Sequence, residues 1–420
     1  MAASIDPAGA RVHRRSLVAV FGATFFVRFA FGITLAVFAT YIAGRSTGLT
    51  GAETALVGLV SAMASVGEFS TVLVSGIVAD RVGRLPVLFG GMAAAAGLFA
   101  LVALTRSPWA LGAIDFFFGI SSGAILAASL AVIADRSGSG ERGLEMGRFD
   151  AMNLAGWLGG YALGIGILGA LPIASLRYVF VLGAAVLLGG ILLAGVLVHR
   201  LPRGPSAPGM PIGDIIRTAF RRGVLLVTLP WLVIYMLLGY VLVFFGSGAS
   251  SISSSTGLPL TYIALAIAGG GALLVISQPR FGSLADRFGR LRLMTVGVIG
   301  FVGAMGFASA LLAYGVQIPL LVGLGISAVA ALAYGPAALA SLADLSISLS
   351  RATTMAIYSL TISLGMILGL VGATQLSGRF GNGGLYLFFG TIAAALVILT
   401  LARYVDARSP APTAATTLVR

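Results

Sequence analysis

Long apolar runs separated by short polar segments repeat along the whole chain. Each run is about 20 residues or longer, which is the length that an α-helix needs to cross the hydrocarbon core of a bilayer. The pattern predicts twelve helical spans, at 16–43, 53–79, 85–105, 109–134, 145–169, 178–198, 224–246, 258–279, 291–315, 318–343, 352–375 and 385–404. It therefore indicates an all-α membrane protein with twelve transmembrane helices.

The longest connection between spans is 199–223, which is rich in Pro, Gly and Arg. It separates six spans from six. The first span is too long for the apolar core of a cleaved signal peptide, and many more spans follow it. We expect a cytoplasmic N-terminal segment at 1–15 and a first six-helix half at 16–198. A cytoplasmic loop at 199–223 then leads to the second six-helix half at 224–404, and a cytoplasmic tail follows at 405–420.

The two halves carry the same charged turn. The pattern G-x-x-x-D-R-x-G-R follows the second span and again the eighth, 206 residues later. A second match, at an offset of 209, pairs Asp135 with Asp344, Arg142 with Arg351, Gly156 with Gly365 and Gly160 with Gly369. Duplication of a six-helix unit explains both offsets, and it predicts two halves related by a pseudo-two-fold axis with a substrate site between them near mid-membrane.

Composition agrees with a membrane location. Hydrophobic residues make up 58% of the chain and charged residues only 9%, against about a quarter in soluble domains. The chain has no Cys and two His, so thiol chemistry is excluded and a His-based metal site is not expected. No nucleotide-binding loop, zinc motif or hydrolytic triad pattern occurs, which argues against an enzyme, a cofactor and ATP-driven transport.

The net charge of +13 follows from topology. All 26 basic residues are Arg, and 21 of them fall on one side of the predicted spans. The positive-inside rule makes that side cytoplasmic, with both termini there. These Arg residues set topology and contact lipid headgroups, so a nucleic-acid partner is not needed to explain the charge.

The duplicated turn and the six-plus-six arrangement resemble the major facilitator superfamily over 16–404. By that resemblance the turn residues are gating residues. Asp80 is expected to face the start of span eleven and Arg84 to pair with Asp135, with Asp286, Arg290 and Asp344 repeating this in the second half. The gating set is Gly76, Asp80, Arg81, Gly83, Arg84, Asp135, Arg142, Gly282, Asp286, Arg287, Gly289, Arg290, Asp344 and Arg351.

Span five partly matches the glycine signature of drug/proton antiporters in this superfamily. Gly147, Gly156, Gly160 and Gly164 keep the glycine spacing, but Tyr161 stands where the signature has Pro and Ile165 where it has the final Gly. Small residues every four positions also make a tight helix contact in any membrane protein. We therefore assign Gly156, Gly160 and Gly164 to a helix seam, which is a line of small residues where two helices pack closely. Whether the glycine pattern also indicates an antiporter stays open.

Ionisable residues within spans are costly and are functional candidates. Arg28 and Glu68 fall at similar depth, about 16–18 Å from the cytoplasmic side at 1.5 Å per residue. They are either a structural ion pair or a substrate and coupling site. Asp115 stands where the family often has an Arg, so the role of that Arg cannot be transferred. Its neighbours Phe116, Phe117 and Phe118 make Asp115 a candidate proton site or an outer-leaflet polar contact.

Aromatic residues of span seven are candidates for the wall of a substrate cavity. Tyr235 is the first choice, while Trp231 and Tyr240 could equally face lipid. The positions equivalent to Glu68 and Arg28 in the second half are neutral, at Leu274 and near Ile234. The expected chemistry is therefore asymmetric, with charge in the first half.

The favoured function is a monomeric secondary transporter of a prokaryotic cytoplasmic membrane, working by alternating access. Its partners are a small-molecule substrate, a coupling proton and membrane lipids. Proton-coupled export of an amphipathic compound is the first hypothesis. An uptake or exchange carrier for a small organic anion, held by Arg28, is the alternative. A receptor or scaffold on the same fold is a third reading, against which the two intact gate motifs argue.

Overall fold

The fold comes from a computed structural model. It describes residues 7–43, 51–105, 107–137, 140–198, 213, 217, 220–256, 259–315, 317–345, 351–380 and 382–408. Within these ranges the chain forms α-helices, with one short 3₁₀ turn at Ile173–Ser175. The first half contains α1 Pro7–Ala43, α2 Gly51–Val82, α3 Arg84–Leu104, α4 Pro108–Arg136, α5 Arg142–Ala170 and α6 Arg177–Val198. The second half contains α7 Arg222–Thr256, α8 Leu260–Phe288, α9 Arg290–Tyr314, α10 Ile318–Ala331, α11 Tyr334–Leu345, α12 Arg351–Phe380 and α13 Asn382–Arg408.

Ten stretches of the described residues are long and apolar enough to cross a membrane. The other two predicted spans correspond to α8 and α12, which are 29 and 30 residues long. At 1.5 Å per residue each of these helices extends about 43–45 Å, which exceeds the roughly 30 Å hydrocarbon core. The prediction of an all-α membrane protein is thus confirmed.

The tenth span, predicted as one helix over 318–343, is two helices. α10 ends at Ala331, and Leu332 and Ala333 form a turn before α11 begins at Tyr334. Pro336 accounts for the break, because proline lacks the N–H that would bond residue 332 and its ring collides with that carbonyl. The break falls in the middle of the apolar stretch Ile318–Leu345, and the residues around it contact Asp150 of α5 and Gly297 and Gly300 of α9.

Three predicted segment boundaries differ from the helix ends or lie outside the described residues. α1 begins at Pro7, so part of the predicted segment 1–15 is helical. The loop 199–223 is described only at 213, 217 and 220–223. The tail is described only to Arg408, where α13 ends. The domain limits therefore stay predictions.

The duplication is visible in the packing of equivalent helices. α5 packs on α1 and α12 packs on α7, each within its own half, while α5–α8 and α2–α12 join the halves. Gly156 and Gly160 bring α5 against the backbone of α1 at Phe25 and Phe29. Gly365 and Gly369 do the same for α12 against Leu232 and Met236 of α7. Each glycine is one that the offset of 209 pairs with its counterpart.

Candidate functional site

The duplicated turns have the same backbone geometry. Gly83 has φ 109° and ψ 148°, and Gly289 has φ 95° and ψ 138°. Side chains disfavour this region of φ/ψ space, so glycine is required there to end one helix and start the next without a connecting loop. The first glycine of the motif has a different purpose. A Cβ on Gly282 would collide with the carbonyl oxygen of Gly143, so this position allows α8 to touch the start of α5.

Asp286 caps the first turn of α5 across the boundary between the halves. Its Oδ1 and Oδ2 accept hydrogen bonds from the backbone N–H groups of Gly143 and Leu144, both at 3.0 Å. Helix N-termini carry unsatisfied N–H groups and partial positive charge, so a carboxylate stabilises this end. The second half thus directly contacts the end of the first half at which α5 begins.

A salt-bridge network surrounds this cap. Arg142 of α5 donates from Nη1 to Oδ1 of Asp344 at 2.6 Å, which is a second contact between the halves. Asp344 also pairs with Arg290. Arg290 in turn lies 3.9 Å from Asp286 and donates to the carbonyl of Ala340 at 2.6 Å. The four charged groups therefore form one network that joins the two halves at this end of the helices.

The first-half copy of the turn is arranged in the same way as far as it is described. Arg84 pairs with Asp135 at the end of α4 and lies 3.7 Å from Asp80. Asp80 is buried, with 3% of its surface exposed. The side chain of Arg351 and the first turn of α12 lie outside the described side chains. Asp80 facing that turn and Arg351 acting in the gate stay predictions.

The remaining gating candidates are less central in this conformation. Arg81 and Arg287 are exposed, and the guanidinium of Arg287 lies 5.3 Å from the ring centroid of Phe288. Gly76 is buried on α2, one helical turn before Asp80. Exposed Arg residues at this depth can reach lipid phosphates, which suits an orienting role.

Glu68 links the halves near mid-membrane. Its Oε1 accepts a hydrogen bond from Ser359 of α12. Ser122 and Ser363 also face this carboxyl group, and Gly123 of α4 gives it room. Sequence reasoning singled out Glu68 but missed Ser359. The signal available for it was the spacing of Ser359 and Ser363, which lie one helical turn apart in span eleven.

Arg28 lies within electrostatic range of Glu68, and Ser122 borders both side chains. Within the described residues Arg28 forms no ion pair with Glu68 in this conformation, so of the two alternatives the structural ion pair is not formed here. The reason is the direction of each side chain: Glu68 turns toward α12, whereas Arg28 starts against Gly156 of α5. Arg28 lines a small cavity that it shares with Thr24, Ser129 and Phe149 among others.

Tyr235 belongs to a buried aromatic group at the inner side of the second half. Its hydroxyl is 3.3 Å from that of Tyr358, and its ring stacks on Trp231 with centroids 5.7 Å apart. Trp231 also meets Tyr358 edge-on at 4.5 Å. The side chain of Tyr240 lies outside the described set. The aromatic surface of α7 and α12 thus faces the interior rather than lipid at Trp231 and Tyr235.

Asp115 connects two helices of the first half. Its Oδ2 accepts a hydrogen bond from the backbone N–H of Ala64 of α2 at 2.9 Å. Of the three neighbouring rings, Phe117 is exposed, while Phe118 is buried and stacks on Phe31 and Phe99. The three phenylalanines therefore do not form one apolar pocket around the carboxyl group, because successive residues of a helix point in different directions.

The family model described as Major Facilitator Superfamily matches residues 20–250 and 232–418. Two solved structures are similar over nearly the whole fold. The human organic anion transporter MFSD10 (TETRAN) gives a TM-score of 0.72 at 18% identity, with 93% of this chain and 99% of that chain covered. The proton:xylose symporter XylE, bound to 6-bromo-6-deoxy-D-glucose, gives 0.69 at 16% identity, with 94% and 95% covered. No curated protein sequence matches.

Proposed function

The chain belongs to the Major Facilitator Superfamily and is therefore a secondary transporter, and from this premise we propose that it exports an amphipathic compound across the cytoplasmic membrane of a prokaryote in exchange for protons. Both termini lie in the cytoplasm in this proposal, because 21 of the 26 Arg residues then face inward. The monomer is the working unit.

The main support for alternating access is the contact between Asp286 and the start of α5. It joins the two halves at the cytoplasmic side through one carboxylate and two backbone N–H groups. Together with the salt bridge from Arg142 to Asp344, it is polar and lies near water. Such contacts can break and re-form at low net cost, because water replaces the lost hydrogen bonds. A rocking motion of one half against the other would open this side.

Amphipathic substrates are favoured by the arrangement of the interior. One wall is aromatic, from Trp231, Tyr235 and Tyr358, and Glu68 supplies a carboxylate beside it. Aromatic faces and a carboxylate together suit an apolar compound with a positive charge. Asp115, and Glu68 when released from Ser359, are the carboxyl groups proposed to carry the coupling proton.

Uptake or exchange of a small organic anion is the second candidate. Arg28 favours it, because within the described residues no carboxylate lies at ion-pair distance from this interior guanidinium. An Arg near mid-membrane without a direct ion pair is costly, and a bound carboxylate or phosphate would offset that cost. The similar fold of a human organic anion transporter is a likeness of fold alone.

A transport assay with reconstituted protein separates the two candidates. Proteoliposomes would be offered a panel of cationic dyes and labelled carboxylates, with the wild type compared with Arg28→Gln and Glu68→Gln. If the protein exports cations, dye transport should be saturable, and it should fall more in Glu68→Gln than in Arg28→Gln. If the protein instead exchanges carboxylates and Arg28→Gln abolishes that exchange, organic-anion transport would replace cation export as the proposed function.

A further inference from the structure

A crevice between α7, α9 and α13 contains a charged group that the proposed function does not use. Arg403 of α13 lines this crevice together with Leu226 and Pro230 of α7 and Met294 and Val298 of α9, among others. The crevice lies near the ends at which α7 and α9 begin and α13 finishes. A charged side chain between membrane helices is costly unless it has a partner, so the surroundings of Arg403 need an explanation.

The guanidinium of Arg403 is directed at the protein and has few acceptors there. Its Nη1 donates to Sδ of Met294 at 2.8 Å, and Met294 is only 3% exposed. A guanidinium has five N–H donors, whereas a thioether is a weak acceptor. Asp406 of the same helix is within electrostatic range, but its carboxylate pairs with Arg222 of α7 at 2.7 Å. Among the described residues, Arg403 has no ion pair, so most of its donors lack an acceptor from the protein.

The depth of Arg403 matches the headgroup region of a bilayer. α13 has 27 residues and extends about 40 Å at 1.5 Å per residue, which is close to the thickness of a bilayer with its headgroup regions. Arg403 lies five residues before the end of this helix, and Leu226 and Met294 lie four residues after the starts of α7 and α9. These positions are about 6–8 Å from the helix ends. The charged part of the crevice therefore lies at the level of lipid phosphates.

The deeper part of the crevice is apolar. One helical turn further from the same helix ends, its lining residues are Pro230 of α7, Val298 of α9 and Leu399 of α13. Apolar residues beside it are exposed, with 66% exposure at Ile299 of α9 and 65% at Ile398 of α13. In a membrane protein such surfaces face acyl chains. The crevice thus has a cation at headgroup depth and an apolar surface below it, next to a face that contacts lipid.

We propose that this crevice binds an anionic phospholipid, with its phosphate on Arg403 and one acyl chain along Val298 and Leu399. A guanidinium suits phosphate because its parallel N–H groups can bond two oxygens at once. Basic pockets between transmembrane helices are typical sites for anionic headgroups. A zwitterionic lipid would bring an ammonium group beside Arg403 and Arg222, while Asp406 is already paired. A net negative lipid therefore fits better.

The internal repeat indicates that helix packing does not require this charge. The offsets of 206 and 209 place Arg403 opposite 194–197 at the end of α6, where the residues are Ala, Gly, Val and Leu. The equivalent part of the first half thus has no cation. A lipid on Arg403 would join three helices of the second half only. The proposed topology is needed to name this side as cytoplasmic, but the site does not depend on the substrate or the coupling ion.

Native mass spectrometry of the delipidated protein in detergent tests the site. The protein would be titrated with dioleoylphosphatidylglycerol, which is anionic, and with dioleoylphosphatidylcholine, which is zwitterionic. The wild type should bind the anionic lipid more tightly. Arg403→Gln should weaken that binding about tenfold or more, the usual effect of losing a hydrogen bond to a charged group. Arg292→Gln, which removes an exposed Arg of α9 outside the crevice lining, should keep the preference of the wild type.

A second variant and a soluble competitor complete the test. Leu399→Trp fills the apolar part of the crevice and retains Arg403, so it should also lose the preference, and it replaces Arg403→Gln if that variant does not fold. Glycerol phosphate in large excess should not displace the bound lipid, because it lacks acyl chains. Equal binding of the two lipids to the wild type would overturn the proposal, as would a wild-type preference in both crevice variants. Displacement by glycerol phosphate would also overturn it, since the site would then bind free phosphate esters and not lipid.

Discussion

The carboxylate of Asp286 accepts a hydrogen bond from the backbone N–H of Gly143 at 3.0 Å, and these residues belong to opposite halves of the protein. The contact needs a glycine on each side, because Gly143 and Gly282 meet backbone to backbone. The duplicated motif therefore does more than place positive charge at the membrane surface. Its second copy supplies the acid that caps a helix of the other half and the glycine that lets that helix approach.

Loss of the gate charges should impair transport without unfolding the protein. We expect Asp80→Asn and Asp286→Asn each to weaken the closed state by about 0.3–1 kcal/mol, the usual contribution of a carboxylate at a helix N-terminus. Arg84→Ala should weaken it by about 0.2–1 kcal/mol through loss of the salt bridge to Asp135. Transport rates in proteoliposomes and melting of the purified proteins would measure both effects. Arg136→Ala, which removes an Arg beside Asp135, is the matched control. Wild-type rates in all three gate variants would remove the gating role.

Gly289 offers a test of the turn geometry alone. Its φ is 95°, and an added Cβ would meet nothing within 4 Å, so Gly289→Ala changes only backbone strain. We expect a loss of stability of about 1–3 kcal/mol, the range for a residue forced into a sparsely populated conformation. Gly306, which is helical with equally open space, is the control, and Gly306→Ala should not destabilise. Equal melting temperatures for the two variants would contradict the strain argument.

The spacing of apolar runs was enough to predict the twelve spans, and the repeat offsets predicted which helices pack alike. Gly156 and Gly365 were matched from sequence and occupy equivalent contacts in the structure. The break in the tenth span was not predicted. Hydropathy depends on how apolar the residues are, and it does not reflect the loss of the backbone hydrogen bond at Pro336. The hydropathy pattern identifies helices that lie in lipid. It does not identify a break within such a helix when a neighbouring helix satisfies the backbone groups at the break.

The candidate site was predicted less completely. Depth along each span correctly suggested that Arg28 and Glu68 reach the interior, but the rotation of a helix about its axis decides which neighbour a side chain meets. That rotation turned Glu68 toward Ser359. It also placed Asp150 of α5 and Gln278 of α8 near the same residue, Gly335.

Glu68 should couple energetically to Ser359 in the conformation described. A double-mutant cycle with Glu68→Gln and Ser359→Ala is expected to give a coupling of about 0.6–1.7 kcal/mol in thermal stability, as for other hydrogen bonds between membrane helices. Additive effects would show that the contact does not form. Ser121→Ala, which removes a hydroxyl bonded only within its own helix, is a suitable control for serine removal.

Arg28 and Glu68 are expected to couple in substrate affinity rather than in the stability of this conformation. If substrate or a later step of the cycle brings them together, removing one partner should weaken binding more than removing both, because an orphaned charge stays buried. The cycle consists of Arg28→Ala, Glu68→Ala and the double variant, scored by substrate binding. Strictly additive changes in affinity would mean that the two residues never meet, and a joint role for them in substrate binding would then be dropped.

Two substitutions at Asp115 distinguish a structural role of this residue from a role in carrying the proton. Asp115→Asn keeps an acceptor oxygen for the N–H of Ala64 but cannot titrate, whereas Asp115→Leu removes both properties. If Asp115 carries the proton, Asp115→Asn should abolish transport driven by a pH gradient at near-normal stability. Asp115→Leu should also lose about 0.5–1.5 kcal/mol of stability. Unchanged gradient-driven transport in Asp115→Asn would assign the proton to another carboxyl group.

Proton exchange during export is the most direct measure of the central claim. Proteoliposomes with the cytoplasmic face outward would contain a pH-sensitive dye and an acidic lumen, and an amphipathic cation would be added outside. The account predicts that the cation accumulates in the lumen only while the gradient lasts, that the lumen becomes alkaline faster when the cation is present, and that Arg84→Ala slows both. Proton-coupled export would be contradicted if no compound of the panel accelerates the alkalinisation of the lumen. It would also be contradicted if protons move in the same direction as the substrate.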